Sequence, residues 1–168
     1  GRFVPENNYE TMLREFMNSK TQKSFALITN VSEGFLEELK QKTGFHKDPR
    51  IKFVGVVYDQ ELLKKIRQNA CGYFHGHEVG GTNPSLLEAL GSTKVNLLLD
   101  VGFNREVAED AALYWTKEEG SLARLIEDTD ALTAEAIDAL GTQAKNRIAT
   151  AYSWQFICDE YARLFLSQ

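Results

Sequence analysis

The sequence predicts an α/β domain built on a doubly wound, parallel β-sheet. Short apolar runs alternate with amphipathic helical patterns along its 168 residues. Residues 95–99 read Val-Asn-Leu-Leu-Leu, a nearly continuous apolar run that is typical of a strand covered on both faces. Strands that alternate with helices, joined by right-handed crossovers, lie side by side in a parallel sheet. The length suits a single domain spanning residues 1–168.

Five segments have the composition of strands, and helical patterns lie between and after them. The strands are predicted at residues 24–30, 51–57, 72–74, 95–100 and 112–115. Helices are predicted at residues 9–19, 32–42, 121–127, 133–151 and 154–166, with a further helix capped by Asp59. Core positions are predicted for the aromatic residues Trp115, Trp154, Tyr161 and Phe165, and Cys71 is expected to be a small core residue.

Charge and composition exclude several classes of protein. The formal net charge of −5 argues against a nucleic-acid-binding protein, because phosphate backbones select basic surfaces. No apolar run approaches the roughly 20 residues needed to cross a bilayer, so no transmembrane segment is expected. Two cysteines give no disulfide framework and are typical of a reducing compartment, which predicts a cytoplasmic protein.

The first residues read as a loop that follows a strand. Gly1-Arg2-Phe3-Val4-Pro5 has this character, yet no strand precedes it in the sequence. In a doubly wound sheet the first strand is central, and a domain without it would be badly compromised. The sequence is therefore expected to begin partway into a longer polypeptide that carries the first strand.

The segment from His75 to Leu90 has the pattern of a phosphate-binding turn between a strand and a helix. Gly80 and Gly81 allow a sharp turn and a close ligand approach. Asn83 is a good N-cap, and Pro84 suits the first helical position. Free backbone N–H groups around Thr82 and the positive end of the helix dipole would then face the carboxyl edge of the sheet, where α/β folds bind phosphates. A capped strand–loop–helix without a ligand remains the alternative.

Glu88 is the candidate for contacting a ribose. It lies about 7 Å along the helix from Asn83, and its side chain tilts back toward the helix start. A carboxylate there would repel a phosphate, but it could accept hydrogen bonds from a ribose diol further along a nucleotide. The alternative is an exposed glutamate that only interacts with the helix dipole.

Residues 80–89, Gly-Gly-Thr-Asn-Pro-Ser-Leu-Leu-Glu-Ala, resemble the E-x7-E region of glycosyltransferase family 4, in the version found in bacterial β1,4-rhamnosyltransferases. Four other landmarks occur in the order of that family. They are residues 1–8, similar to G-R-x-x-P-E-K-N; residues 53–62, similar to F-x-G-x-x…E-L; residues 100–107, similar to D-x-G-x-x-R-E-V; and residues 152–165, similar to a closing S-W-x-x-x-x-x-x-Y-x-x-L-F helix. The resemblance covers essentially the whole chain.

Two departures from the family pattern concern charge. Gly80 stands where the first glutamate of E-x7-E is usual, and Glu78 could replace it only if the loop is reshaped. Asn7 replaces the usual basic residue of the first loop, which leaves Arg2 as the basic side chain expected to face the phosphates. Arginine presents a planar fork suited to a diphosphate, and a solvated Arg2 near the chain end is the alternative.

The resemblance implies the C-terminal, Rossmann-like half of a GT-B glycosyltransferase. The donor would be a nucleoside diphosphate sugar, with rhamnose from dTDP-rhamnose as the expected case, and retention of the anomeric configuration as the default. The saccharide or lipid-linked acceptor would bind an N-terminal domain that this chain lacks, so the isolated domain should be inactive. The full-length enzyme could lie peripherally at the inner membrane face during polysaccharide synthesis. No cofactor or metal is expected.

Two further residues are assigned to the donor pocket, and none is assigned a catalytic role. His77 is interpreted as a polar wall of the pocket rather than as a metal ligand with His75, because a third ligand would be speculative. Tyr58 follows a strand and could flank the base, or it could be an ordinary packing residue. Alternative functions are a non-catalytic α/β nucleotide-binding module and a GT-B nucleotide-sugar epimerase.

Overall fold

The computed structural model describes residues 2–166 and confirms the predicted α/β fold. Each predicted strand forms: four are slightly shorter than predicted, and the third is shifted by one residue. The strands are β1 Phe25–Ile28, β2 Ile51–Gly55, β3 Tyr73–His75, β4 Asn96–Leu99 and β5 Leu113–Trp115. The helices are α1 Tyr9–Asn18, α2 Glu33–Thr43, α3 Gln60–Asn69, α4 Pro84–Ser92, α5 Gly102–Ala108, α6 Ser121–Asp130, α7 Ala134–Ala151 and α8 Trp154–Leu166.

Side-chain capping hydrogen bonds form at some helix starts and are missing at others. The Asp59 carboxylate accepts hydrogen bonds from the N–H groups of Glu61 and Leu62 at the start of α3. Thr133 caps α7 through the N–H of Ala136. Ser32 stands at the N-cap position of α2, but its side chain makes no capping hydrogen bond. The short helix α5 was not predicted, because the sequence over residues 102–108 has no clear apolar periodicity.

All strand pairs are parallel, but the strands of the described residues form two sheets instead of one. β1 pairs with β2, and Phe25 lies opposite Ile51. β4 pairs with β3 on one side and β5 on the other. Within residues 2–166 no strand joins β1 to β3, so the expected continuous sheet is interrupted at this position.

The core is divided between the two faces of β4, whose four residues are all buried. Leu97 and Leu99 pack into a cluster with α1, α2 and α6, around the fully buried Leu13 and Leu39. Leu98 points to the opposite face, because side chains alternate along a strand, and it packs there with residues of α4, α5 and α7. Helices therefore cover both faces of the sheet, as a doubly wound fold requires.

Four predictions about the core were wrong, and one was confirmed. Trp115 is fully buried, and its indole N–H donates to the Leu97 carbonyl at 3.2 Å. Trp154, Tyr161 and Phe165 are exposed, because none of the described elements covers that side of α8. Cys71 is also exposed, since it precedes β3.

No helix within residues 2–166 is both long and apolar enough to span a bilayer.

Candidate functional site

The loop before α4 has the predicted geometry of a capped helix start. α4 begins at Pro84, and the Asn83 side chain accepts hydrogen bonds from the N–H of Ser85 at 2.9 Å and the Ser85 hydroxyl at 2.7 Å. Gly80 has φ +121°, a conformation that L side chains rarely adopt. Gly81 lies outside that region, and a Cβ on it would have open space around it. The sharp turn therefore depends on Gly80, whereas Gly81 leaves room in front of the helix.

Several backbone donors at this helix start are unused. The N–H groups of Leu86 and Leu87 both donate to the Asn83 carbonyl. Within the part of the chain described, the N–H groups of Gly81, Thr82 and Asn83 make no hydrogen bond to another residue. Thr82 and Gly81 are exposed. Open N–H groups at the positive end of a helix dipole attract anions.

The first loop of the chain locks onto the segment that leads to this helix. Asn8 is buried, has φ +56°, and its amide donates to the carbonyl of Gly76 at 2.7 Å. Gly76 approaches the first loop so closely that a Cβ would lie 2.3 Å from the Asn7 carbonyl oxygen. Asn7 is buried and donates to the carbonyl of Arg2 at 2.6 Å. The two loops are thus held as one unit at the carboxyl edge of the sheet.

Glu78 makes an ion pair that the sequence did not reveal. Its carboxylate accepts a hydrogen bond from the Asn8 amide at 2.9 Å and contacts the Lys117 ammonium group. The Lys117 and Asn8 hydrogen bonds hold the pKa of Glu78 below its ordinary value. The sequence indicated Arg2 as the basic residue near the loops, but the structure shows that Lys117 lies there as well. Lys117 follows β5 by two residues, and only the parallel pairing of β4 with β5 brings it to this edge.

Arg2, Tyr58 and His77 all line a cavity of about 1050 Å³. Tyr58 is 85% exposed, so its ring is available to a ligand. Asn30, which follows β1, lines the same cavity. Three of the nine predicted donor-binding residues therefore share this cavity wall. The loop residues Gly80 to Asn83 lie outside its lining.

His75 and His77 form a neutral, stacked pair beside this cavity. Their rings are nearly parallel, with centroids 4.2 Å apart. Burial lowers the pKa of His75 to about 3, and the neighbouring His77 contributes further. Burial, together with nearby positive charge that includes Arg2, lowers the pKa of His77 to about 4. Both rings are therefore uncharged at neutral pH and can serve as a polar wall.

Asn104 is a supporting residue that sequence reasoning missed. It is fully buried in α5, and its amide donates to the carbonyls of Leu99 at 2.9 Å and His77 at 3.2 Å. It thereby fixes the backbone of His77 relative to β4. Asn104 belongs to the stretch compared above with D-x-G-x-x-R-E-V, and no local signal marks it, because it stands between Phe103 and Arg105.

Glu88 lies on α4 but is already engaged. Its carboxylate contacts the guanidinium of Arg67 on α3, with Oε2 and Nη1 2.7 Å apart. The Arg67 side chain is largely buried and lines the cavity described above, whereas half of the Glu88 side chain is exposed. Any ribose that Glu88 binds would have to share this carboxylate with Arg67.

The acidic side chains at this edge of the sheet do not form a cluster with the histidines. Asp100, at the end of β4, binds Arg105 through both carboxylate oxygens instead of facing a second acid. Within residues 2–166, no three His, Cys, Asp or Glu side chains are grouped as ligands for a metal ion. The stacked histidines are therefore not part of such a group in the described chain.

Comparison with known proteins supports the fold. The chain superposes over 100% of its length on 47% of Anabaena HepE in complex with UDP, with a TM-score of 0.83 and 17% identity. It likewise matches 45% of sucrose-phosphate synthase from Thermosynechococcus elongatus, with a TM-score of 0.81 and 20% identity over all of this chain. This chain has the Rossmann-like fold of a GT-B domain.

A third similarity concerns a single domain. The C-terminal domain of LpcC, a glycosyl transferase group 1 family protein from Francisella tularensis, matches 92% of this chain over 84% of its own length, with a TM-score of 0.73 and 15% identity. The chain spans about half the length of HepE and of sucrose-phosphate synthase. No family model matches the sequence, and no curated protein matches it.

Proposed function

We propose that this chain is the domain of a glycosyltransferase that binds the nucleoside diphosphate sugar donor. The proposal is supported above all by the unused N–H groups of Gly81, Thr82 and Asn83 at the start of α4. The fold supports it as well, since HepE has been crystallised with UDP and with UDP-glucose. Proteins with this architecture bind ligands at the carboxyl edge of the sheet, where these donors lie.

The diphosphate is assigned to the helix start and to Arg2. Departure of the nucleotide builds negative charge on the β-phosphate, and donors fixed in advance stabilise that charge without reorganisation. The N–H groups of Gly81, Thr82 and Asn83 are fixed by the Asn83 cap and by the turn at Gly80. Lys117 adds positive charge to the same edge, although Glu78 binds it in this structure.

The nucleoside is assigned to Tyr58 and Glu88. The exposed Tyr58 ring offers a surface for stacking on the base, an interaction worth about 1–3 kcal/mol in other nucleotide-binding proteins. Glu88 would accept hydrogen bonds from the ribose diol while it stays paired with Arg67. His77 would form the wall near the sugar, where a neutral imidazole can donate or accept a hydrogen bond.

The donor sugar is proposed to be a hexose, with rhamnose from dTDP-rhamnose as the specific case. This assignment depends on the similarity of residues 80–89 to bacterial rhamnosyltransferases of polysaccharide synthesis. The acceptor, a saccharide or a lipid-linked saccharide, would bind a second, N-terminal domain. The chain alone should then bind donor without transferring sugar, and the full enzyme should need no metal.

A ligand panel tests the proposal. Thermal unfolding and calorimetry would be measured with dTDP, UDP, GDP, their sugar derivatives and NAD as a dinucleotide control. We expect a nucleoside diphosphate to raise the Tm in proportion to ligand concentration, because binding to the folded state stabilises it. The dTDP series should bind more tightly than the UDP and GDP series. Equal behaviour of all ligands and NAD, or no shift at all, would contradict the proposal.

A further inference from the structure

A row of polar side chains runs from the start of α4 to the two stacked histidines. The Ser85 hydroxyl donates to Oδ1 of Asn83 at 2.7 Å, and the Tyr73 hydroxyl donates to Oγ of Ser85 at 3.4 Å. The Tyr73 oxygen also lies 3.4 Å from Nδ1 of His75, whose ring is stacked on that of His77. The first four of these side chains, Asn83, Ser85, Tyr73 and His75, form what we call the polar row. It joins two parts of the proposed donor site, the helix start and the histidine wall.

The protons of the polar row can point in only one direction if all of its contacts are hydrogen bonds. Oδ1 of Asn83 also accepts from the backbone N–H of Ser85 at 2.9 Å, which identifies it as the amide oxygen, an acceptor only. The Ser85 hydroxyl proton therefore points at Asn83, and Oγ of Ser85 accepts from Tyr73. Since a tyrosine hydroxyl carries a single proton, the Tyr73 oxygen is left to accept from His75. The row therefore places a proton on Nδ1 of His75.

The surroundings of the other ring nitrogen of His75 favour the same tautomer. His75 is 1% exposed, and within residues 2–166 its Nε2 has no hydrogen-bond partner. A buried N–H group without an acceptor is rarer in proteins than a buried acceptor with a free lone pair. A proton on Nδ1 avoids such an unpaired N–H group at Nε2. Burial also lowers the pKa of His75 to about 3, so the ring carries one proton, not two, at neutral pH.

The ring of His77 packs on this fixed ring of His75. The two ring planes are 10° apart, with centroids separated by 4.2 Å. The backbone of His77 is held separately, because its carbonyl accepts from the Asn104 amide at 3.2 Å. Within the described residues, Nδ1 of His77 is buried and makes no hydrogen bond. Stacking on His75 therefore contributes to the orientation of an imidazole that lines the cavity between β1 and β3.

We propose that Tyr73 and His75 are positioning residues of the donor site, an inference that rests on the proposed function. The Tyr73 hydroxyl fixes the tautomer and the plane of His75, and His75 holds the His77 imidazole against the donor sugar. The same hydroxyl donates to Ser85 in the first turn of α4, so the sugar wall and the diphosphate-binding turn keep one relative arrangement. Tyr73 and His75 act through these neighbours, without contact with the donor.

Histidine ¹⁵N NMR spectra test the polar row without any ligand. They distinguish a protonated ring nitrogen from a bare one, and the variants His46→Gln and His75→Gln assign the signals. The parent chain should show His75 as a single tautomer with its proton on Nδ1. Tyr73→Phe leaves neither ring nitrogen of His75 with a partner, so both tautomers should be populated. Tyr114→Phe, which removes a hydroxyl outside the row, should leave the His75 signals unchanged. A proton on Nε2 in the parent, or an unchanged tautomer in Tyr73→Phe, would overturn the proposal.

Ser85→Ala interrupts the polar row from the side of α4. The Tyr73 hydroxyl then loses its acceptor in the row and is free to donate to Nδ1 of His75, so both tautomers should again appear. Ser92→Ala is the matched control, because the Ser92 hydroxyl lies on the same helix and donates to a backbone carbonyl outside the row. A single Nδ1–H tautomer in Ser85→Ala would contradict the direction of the hydrogen bonds.

Donor affinity shows whether the polar row acts on the site. Calorimetry gives the Kd values of dTDP and dTDP-rhamnose, and of UDP and UDP-glucose, for the same variants. In Tyr73→Phe the affinity for the sugar nucleotide should fall about three- to tenfold, the range expected for one neutral hydrogen bond. The affinity for the nucleoside diphosphate should change less than about twofold, since Ser85 keeps its bonds to Asn83. Tyr114→Phe should bind like the parent.

The two ligands of each pair separate the possible failures. An equal loss of affinity for both ligands in Tyr73→Phe, or no loss for either, would overturn the positioning role while the proposed function stands. A parent chain that binds neither ligand of either pair would overturn the proposed function, and with it the role of the polar row in binding, whatever tautomer His75 shows.

Discussion

Glu88 of α4 is joined to Arg67 of α3 by an ion pair with Oε2 and Nη1 2.7 Å apart. The pair links the helix that carries the proposed phosphate site to a helix that covers the cavity between the sheets. Since the Arg67 side chain is mostly buried, the carboxylate of Glu88 does more than interact with the helix dipole. It compensates a cation that would otherwise be partly removed from water without a partner.

Replacing Glu88 should therefore affect both stability and binding. Glu88→Gln is expected to lower the free energy of unfolding by about 1 kcal/mol, since Arg67 keeps only a neutral acceptor. It should also weaken nucleoside diphosphate binding by about 1–3 kcal/mol, because the ribose loses a charged acceptor. Chemical denaturation and calorimetry measure the two effects, with the exposed Glu119→Gln as control. Unchanged donor affinity in folded Glu88→Gln would remove Glu88 from the site.

Gly80 and Gly81 should respond differently to the same substitution. Gly80→Ala forces a Cβ into φ +121° and should lower the free energy of unfolding by about 1–3 kcal/mol. Gly81→Ala should change stability little, since a Cβ there has open space. Urea denaturation of the two variants checks this difference. Equal destabilisation by both would mean that the turn before α4 has another conformation.

Asn8 has two roles that two substitutions separate. Its left-handed backbone tolerates glycine, while its amide satisfies the carbonyl of Gly76 and contacts Glu78. Asn8→Gly should lose only the amide contacts, at about 1–3 kcal/mol of unfolding free energy. Asn8→Ala should cost more, because it adds backbone strain at φ +56°. If Asn8→Ala were the more stable of the two in a denaturation series, the proposed strain would be absent.

The neutral, buried His75 predicts a specific pH dependence of stability. Its pKa is about 3 in the folded chain and near the ordinary 6.5 when unfolded, so the unfolded state binds more protons between these values. Stability is complete above pH 6.5 and falls as the pH is lowered, by up to about 1.4 kcal/mol per pH unit from this residue. His75→Gln should flatten that slope, measured by denaturation between pH 7 and 5. The exposed His46→Gln is the control, and an identical slope in both variants would contradict the assignment.

The sequence predicted the strands and most helices because their signals are local. The apolar run of β4 and the caps of α3 and α4 depend on neighbours in the chain, and they formed as predicted. The ion pairs of the site could not be predicted, because they join residues far apart in sequence. Glu78 contacts Lys117, and Glu88 contacts Arg67, through the packing of separate elements of the fold.

The aromatic residues of α8 show a different limit. Trp154, Tyr161 and Phe165 have the spacing of a buried helix face, and that periodicity indicates burial without identifying the partner. Within the described chain this face is exposed. The glycine pair shows the same limit on a smaller scale, since the sequence could not distinguish Gly80, which needs its unusual φ, from Gly81, which does not.

The central claim is that the start of α4, more than any cation, holds the diphosphate of the donor. It is tested most directly by calorimetric titration of dTDP and UDP into the parent chain, Gly81→Val and Arg2→Ala. Gly81→Val should fold normally but abolish measurable binding, because its side chain occupies the open space before the N–H groups of the helix start. Arg2→Ala should cost about 1–2 kcal/mol, the loss of one partly solvated charged hydrogen bond. Abolished binding in Arg2→Ala with unchanged binding in Gly81→Val would contradict the claim.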